Sequence, residues 1–178
     1  MTTSKITTRE KVFSTPYFTL VAKHIADEPE SDPFYALEMP DYVSVVAQTK
    51  AGEIVLVKQY RPAVENVTLE LPAGLVDAGD TPVATAVREL REETGFIADR
   101  VTLVGCLKPD TGRLANRMWV YFAPGVVRDA SSVPEAGMEV VVQTKAQLAR
   151  ALAEGVFDHA LHVAALLLAV QLGHLALS

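Results

Sequence analysis

The chain has 178 residues, enough for one domain or for one domain with a small appendage. Hydrophobic residues make up 49% and charged residues 21%, a balance that excludes intrinsic disorder and allows a sizeable core. Acidic residues outnumber basic ones 22 to 16, for a net charge of −6; this argues against a dedicated nucleic-acid binder, which needs clustered Lys and Arg, and suits a protein that concentrates cations in an acidic cleft.

In chain order, Met1–Glu10 is polar and holds no apolar signal-peptide core. Together with the single cysteine, Cys106, which rules out an internal disulfide framework, this leads to the expectation of a cytoplasmic protein. Glu10–Ile25 and Phe34–Met39 read as short strands, separated by a turn region rich in Pro, Glu and Asp at Asp27–Pro33. They predict a small N-terminal antiparallel β-sheet. Tyr42–Thr49 and Glu53–Tyr60 form a hairpin pattern through Lys50-Ala51-Gly52. Val67–Leu71 is a short strand running into Pro72-Ala73-Gly74. A helix is predicted over Pro82–Thr94, with Thr81 as N-cap, Pro82 at the first helical position and Gly95 as the stop. Strands Arg100–Leu107 and Arg117–Ala123 follow, flanking the polar loop Lys108–Asn116. Strand Met138–Gln143 and helices Lys145–Glu154 and Asp158–Leu172 close the chain. The most apolar run, Val163–Val170, is too short to span a membrane and predicts a buried helix. The order of elements predicts an α/β fold with a mixed sheet between helices.

The helix Pro82–Thr94 carries the chemistry. Val83, Val87, Leu90 and Thr94 recur at helical spacing as an inward stripe. Glu89, Glu92 and Glu93 share an adjacent face, where they repel one another. Glu92 and Glu93 also sit near the helix C-terminus, where the macrodipole disfavours negative charge. Hard oxygen ligands grouped in this way suit Mg²⁺ or Mn²⁺. The plain alternative is a solvated acidic face balanced by Arg88 and Arg91.

The frame around these glutamates decides between the two. Gly74 is followed by five residues, Asp80, seven residues, and then Arg88-Glu89-Leu90-Arg91-Glu92-Glu93-Thr94-Gly95-Phe96. This pattern closely resembles the Nudix box. The resemblance implies a Nudix α/β/α sandwich and a pyrophosphohydrolase acting on a nucleoside diphosphate linked to another group. It implies Mg²⁺, or Mn²⁺ in its place, held by Glu89, Glu93 and Glu92 with the Ala73 carbonyl, and it implies that Arg88 orients the carboxylates. Asp80 stands where the family usually has Glu. That carboxylate commonly braces the box arginine, so a shortened brace on Arg88 and an adjusted activity are expected.

Gln59-Tyr60-Arg61, Leu69-Glu70-Leu71-Pro72-Ala73-Gly74 and Ala153-Glu154-Gly155 with Asp158 resemble the branch that cleaves ADP-ribose and related nucleoside diphosphate sugars. That resemblance implies residues 1–40 as a β subdomain for dimerisation and nucleotide contact, and 41–178 as the hydrolase domain. It implies a homodimer with a nucleotide-sugar substrate and neither a nucleic-acid nor a membrane partner. Arg61, Arg113 and Asn116 are candidates for binding the diphosphate or sugar. Glu70 either lines the cleft or braces an arginine. The base that activates water is Glu135, from the loop before the late strand, with Glu139, Glu92 and Glu93 as alternatives. Other readings remain a dinucleotide or nucleoside triphosphate pyrophosphohydrolase and a non-catalytic sensor. His159, His162, Cys106, Trp119, Tyr17 and Phe18 are read as packing residues, Cys106 in the core.

Overall fold

The computed structural model describes residues 5–26 and 32–176, and its chain divides into two compact units. The smaller takes the described part of 1–41 together with Lys108–Arg117. Its strands β1 (Ile6–Ser14), β2 (Thr19–Ile25) and β3 (Phe34–Glu38) form an antiparallel sheet in that order. The run expected over Glu10–Ile25 folds as a hairpin because the Thr15 hydroxyl accepts the N–H groups of Tyr17 (3.1 Å) and Phe18 (3.0 Å), closing a tight turn. Most of the turn region expected at Asp27–Pro33 lies outside the described residues. Segment 108–117 joins this unit through Leu37, whose N–H donates to the Arg113 carbonyl (2.8 Å) and whose carbonyl accepts from Ala115 (3.0 Å).

The larger unit holds β4 (Tyr42–Thr49), β5 (Ile54–Arg61), β6 (Asn66–Glu70), β7 (Ala73–Leu75), α1 (Pro82–Thr94), β8 (Phe96–Ile97) and β9 (Thr102–Leu107). It continues with β10 (Met118–Arg128), β11 (Met138–Gln143), α2 (Lys145–Ala153) and α3 (Ala160–Gln171). Its mixed sheet runs β11-β5-β4-β10-β8, with β6 on β5, β7 on β4 and β9 on β10. The β4–β10 ladder is parallel, from Tyr42↔Met118 onward.

Alternation along the strands makes a core on each face of the sheet. Val46, Ile54, Leu56, Val120 and Phe122 meet Leu148 of α2 and Leu166 of α3 on one face. Val43, Val45, Val55, Tyr121 and Ala123 meet Ala86 and Leu90 of α1 on the other. The α/β/α sandwich follows from two apolar faces that each need a helix.

Three local expectations are corrected. β10 runs past Ala123 to Arg128: an irregularity at Pro124/Val126, with Gly125 at φ 66°, lets the strand absorb a proline and continue. Cys106 is exposed instead of in the core. The β9–β10 register steps from Gly105 to Leu103, which leaves Val104 as an extra residue and breaks the alternation. Gly105 then faces Leu168, and Leu107 packs on the core. Finally, Val83 and Val87 lie on the exposed flank of α1, and the buried residues are Thr85, Ala86, Leu90, Glu93 and Thr94. One of the three glutamates therefore faces inward.

Candidate active site

The splayed junction between β4 and β5 shapes the site. These strands pair only at Ala47↔Val55 and Gln48↔Ile54, after which β4 pairs with β7 and β5 with β6. The strap Leu71-Pro72 bridges the fork, with the Pro72 carbonyl accepting from Val45 N–H (2.9 Å). Ala73 and Gly74 are thus presented to α1.

Helix α1 is fixed at both ends. The Thr81 hydroxyl accepts the Ala84 N–H (3.3 Å), Pro82 occupies the first turn, and Gly95 at φ 70° ends the helix by donating its N–H to the Arg91 carbonyl (2.8 Å). With Ala86 and Leu90 on the sheet, Glu93 is carried inward to 3% exposure, where its carboxylate accepts the Ala73 N–H (2.9 Å). Glu89 lies over Gly74 so closely that a Cβ there would fall 2.1–2.6 Å from its carboxyl atoms. Only glycine leaves room for that carboxylate.

Arg88 spans the group. Its guanidinium meets Glu89 at 2.8 Å, Glu92 at 3.0 Å and Asp77 at 3.3 Å. The brace expected from Asp80 comes instead from Asp77, three residues earlier in the same loop. Asp80 is exposed, and its N–H closes a turn onto the Asp77 carbonyl (3.0 Å). The turn brings the Asp77 carboxylate to the arginine and leaves Asp80 exposed.

The electrostatics are those of anions short of counter-charge. Burial pushes the Glu93 carboxyl up to about 8; the Ala73 N–H and the Arg61 charge pull it down, and Glu89 and Glu135 push it up. Glu89 is also raised, first by burial, against the opposing pull of Arg88 and with the added repulsion of Glu92 and Glu135. Glu135 stands in the β10–β11 loop, where its N–H donates to the Glu92 carbonyl (2.9 Å) and it lines one groove with Arg88 and Glu92. The groove beside it, about 1070 Å³, runs along α1 between Arg88, Glu92 and Val133. Glu139 points elsewhere: it pairs with Lys58 on the neighbouring strand (3.3 Å), with its side chain 68% exposed.

Arg61 sits at the fork's other side. Its Nε and Nη2 each donate at 2.8 Å to the two oxygens of Glu70, and the Thr68 hydroxyl adds a 2.6 Å bond. Burial alone would raise the Glu70 carboxyl, yet these donors hold it at about 2. The structure places Glu70 as the brace of Arg61. Arg61 also borders a cleft of about 600 Å³ reaching to Asp158 and His159.

Behind Glu70 stands His162, 2% exposed, whose Nδ1 accepts the Leu71 N–H (3.2 Å) and lies 3.8 Å from Glu70. Its ring stacks on His159 at 3.9 Å. Glu70, His159 and His162 place one potential ligand atom each within 4.8 Å of one another. Arg61 and Thr68 occupy the Glu70 oxygens and Leu71 occupies Nδ1, so the cluster is a closed hydrogen-bonded network. Arg113 and Asn116 belong to the smaller unit. There the Asn116 amide donates to the Pro40 carbonyl (3.0 Å), and Arg113 is exposed.

Sequence reasoning missed Asp77, for which a second aspartate in Asp77-Ala78-Gly79-Asp80 was the visible signal. His162, read as a packing residue, is buried, and its bond to Leu71, 91 positions away, has no local signal.

Comparison with known proteins fits this geometry. The family model described as the NUDIX domain matches residues 39–153. An ADP-ribose pyrophosphatase of Bacillus subtilis is 38% identical over 84 residues, 47% of this chain and 45% of that protein. An ADP-ribose pyrophosphatase of Mycobacterium tuberculosis is 36% identical over 129 residues, 70% and 62% of the two chains. The matched segments thus span between about half and two thirds of these relatives. The crystal structure of an ADP compounds hydrolase superposes with a TM-score of 0.79 at 22% identity, covering 96% of this chain and 94% of the other, a likeness of fold.

Proposed function

Because this chain belongs to the NUDIX family, we propose that it hydrolyses the pyrophosphate bond of ADP-ribose or a related nucleoside diphosphate sugar, giving a nucleoside monophosphate and a sugar phosphate. The observation that carries this reading is the carboxylate cluster on α1 at the strap: Glu93 on the Ala73 N–H, Glu89 over Gly74, Glu92 tied to Glu89 through Arg88, and Glu135 docked on the Glu92 carbonyl.

The donor set fits a hard divalent cation. Burial pushes the Glu93 carboxyl up to about 8, so a bound cation would favour its ionised form. Glu89, Glu92, Glu93 and the Ala73 carbonyl would hold Mg²⁺, which neutralises diphosphate charge and makes water a better nucleophile. The chain's own residues supply the rest. Arg88 keeps the Glu89 and Glu92 carboxylates from splaying apart. Arg61, fixed by Glu70, offers its remaining N–H groups to a phosphate or ribose oxygen. Glu135 accepts the proton of the attacking water. The proposal extends to a homodimer acting in the cytoplasm. Exposed apolar side chains on the small sheet support the dimer, and among the described residues no helix is long and apolar enough to cross a membrane.

A panel of nucleotide sugars, dinucleotides and nucleoside triphosphates assayed with Mg²⁺ tests the reading. Release of a nucleoside monophosphate from the nucleotide sugars first is the expected result. Preference for triphosphates, or no turnover of any member, overturns it.

A further inference from the structure

The segment between β10 and β11 closes the C-terminal end of α1. Asp129 donates its N–H to the Gly95 carbonyl (2.8 Å), Glu135 donates to the Glu92 carbonyl (2.9 Å), and the Ser132 hydroxyl donates to the Arg91 carbonyl (3.3 Å). The Arg91 carbonyl already accepts the Gly95 N–H, but the Glu92 carbonyl is among the last of the helix, which have no N–H ahead of them, and the docked loop supplies that donor. This end of α1 also carries Glu92 and Glu93 against the macrodipole, which makes outside donors more valuable here.

One side-chain pair fastens the loop. Arg91 reaches Oδ2 of Asp129 through Nε at 3.1 Å and Nη2 at 2.9 Å. The other carboxylate oxygen accepts the Ser131 N–H (2.9 Å) and hydroxyl (2.7 Å). The Ser131 and Arg91 bonds hold the Asp129 carboxyl below its ordinary range, so it stays ionised and available to Arg91. Apolar burial contributes little: Val133, at the loop tip, is 87% exposed. A segment held by a few polar contacts opens more readily than one held by packing.

We propose that Arg91 and Asp129 are positioning residues for Glu135: by fastening the β10–β11 loop to the end of α1, they hold Glu135 beside Glu92 at the groove that Arg88 and Glu92 line. This rests on the reading of Glu135 as the proton acceptor. Arg91 then acts through the loop, and its charge also suits the helix C-terminus. When the clasp opens, the Glu135 N–H leaves the Glu92 carbonyl and the carboxylate leaves with it, while the α1 carboxylates stay on their helix.

The test compares Arg91→Met, Asp129→Asn and Arg91→Lys, each also combined with Glu135→Gln. Amide hydrogen exchange at Glu135 reads docking without reference to activity. An exposed ion pair biases such an equilibrium by up to about fivefold. Arg91→Met and Asp129→Asn should each speed exchange at Glu135 about two- to fivefold. They should also lower kcat, by less than the exchange factor where the docked state dominates, with KM unchanged, and Arg91→Lys should recover most of the loss. On the Glu135→Gln background, Arg91→Met should lower kcat no further, because the positioned group is already gone. Unchanged exchange, an equal loss on both backgrounds, or a Glu135→Gln enzyme with normal kcat each overturns the proposal. If the wild-type enzyme turns over no nucleotide sugar, the proposed function fails, and the exchange result alone supports or overturns the clasp.

Discussion

Glu93 is where stability and reactivity pull hardest against each other. Its ordinary value of 4.5 is pushed to about 8, so between these two pH values the metal-free folded state retains a proton that the unfolded chain releases. Its ionisation therefore opposes folding as pH rises above 4.5, with the full penalty reached above about 8. Glu93→Gln removes that penalty and keeps shape and size. In metal-free solution at pH 8 the variant should melt above the wild type, while Mg²⁺ should raise the wild-type melting temperature far more than the variant's. Its turnover should fall at least about a hundredfold. Calorimetry with and without Mg²⁺, beside initial rates, reads all three, and near-normal turnover removes Glu93 from the reaction. His162 has the opposite signature. Burial and the neighbouring His159 depress it from 6.5 to about 3, outweighing the pull of Glu70. The folded state refuses a proton that the unfolded chain accepts, so stability is complete above 6.5 and falls as pH drops toward 3. Glu70 adds its own loss only below 4.5, since its folded value is about 2. Because Glu93 contributes the opposite slope over this range, the comparison belongs on the Glu93→Gln background: there melting curves from pH 7 to 5 should slope downward toward acid with His162 present and flatten in His162→Asn, whose amide oxygen can still accept the Leu71 N–H.

Among the elements, the loop between β7 and α1 makes the sharpest distinction. Two aspartates three residues apart have different work: Asp77 reaches Arg88 at 3.3 Å, and Asp80 closes the turn through its backbone. Asp77→Asn should lower turnover several-fold by loosening Arg88 from one side, with little change in melting temperature, because an exposed ion pair is worth only about 0.2–1 kcal/mol. Asp80→Asn should leave rates near the wild-type value. Steady-state kinetics on the two variants checks this, and the reverse ranking would restore the brace to Asp80. The same loop shows what can be read from a sequence. Helix α1 was legible to its last residue because Thr81, Pro82 and Gly95 act within one turn of its ends. Strands β7 and β8, of three and two residues, are too short to display a period. The inward face of α1 was misread because hydrophobicity selects Val83 and Val87, whereas the sheet accepts Glu93 by offering it the Ala73 N–H. The box glutamates follow from spacing along one helix. The Arg91–Asp129 pair spans 38 positions, and His162 reaches a strap on the far side of the sheet's fork, so both depend on how distant segments pack.

At the scale of the whole molecule, the small sheet leaves Val12, Phe13, Tyr17, Phe34 and Tyr35 about half exposed or more. A group of large apolar side chains in one sheet is a surface that a second copy of the chain can cover. Light scattering at micromolar concentration should give the mass of a dimer, and Phe13→Glu combined with Tyr35→Glu should shift it to a monomer; a monomeric wild type would refute this. The parallel ladder between β4 and β10 has a different kind of consequence, one that unfolds in time. Tyr42 pairs with Met118, and all of β5 to β9, with α1, is synthesised between them. A parallel pair cannot close as a local hairpin and must wait for its distant partner. On the ribosome, α1 and its glutamates emerge while the sheet face beneath them still lacks Tyr121, Ala123 and Val126. Glu135 emerges later still. The carboxylates proposed to hold the cation are thus made before the residue proposed to use it, and on that reading the nascent chain stays inert until the β10–β11 loop has docked.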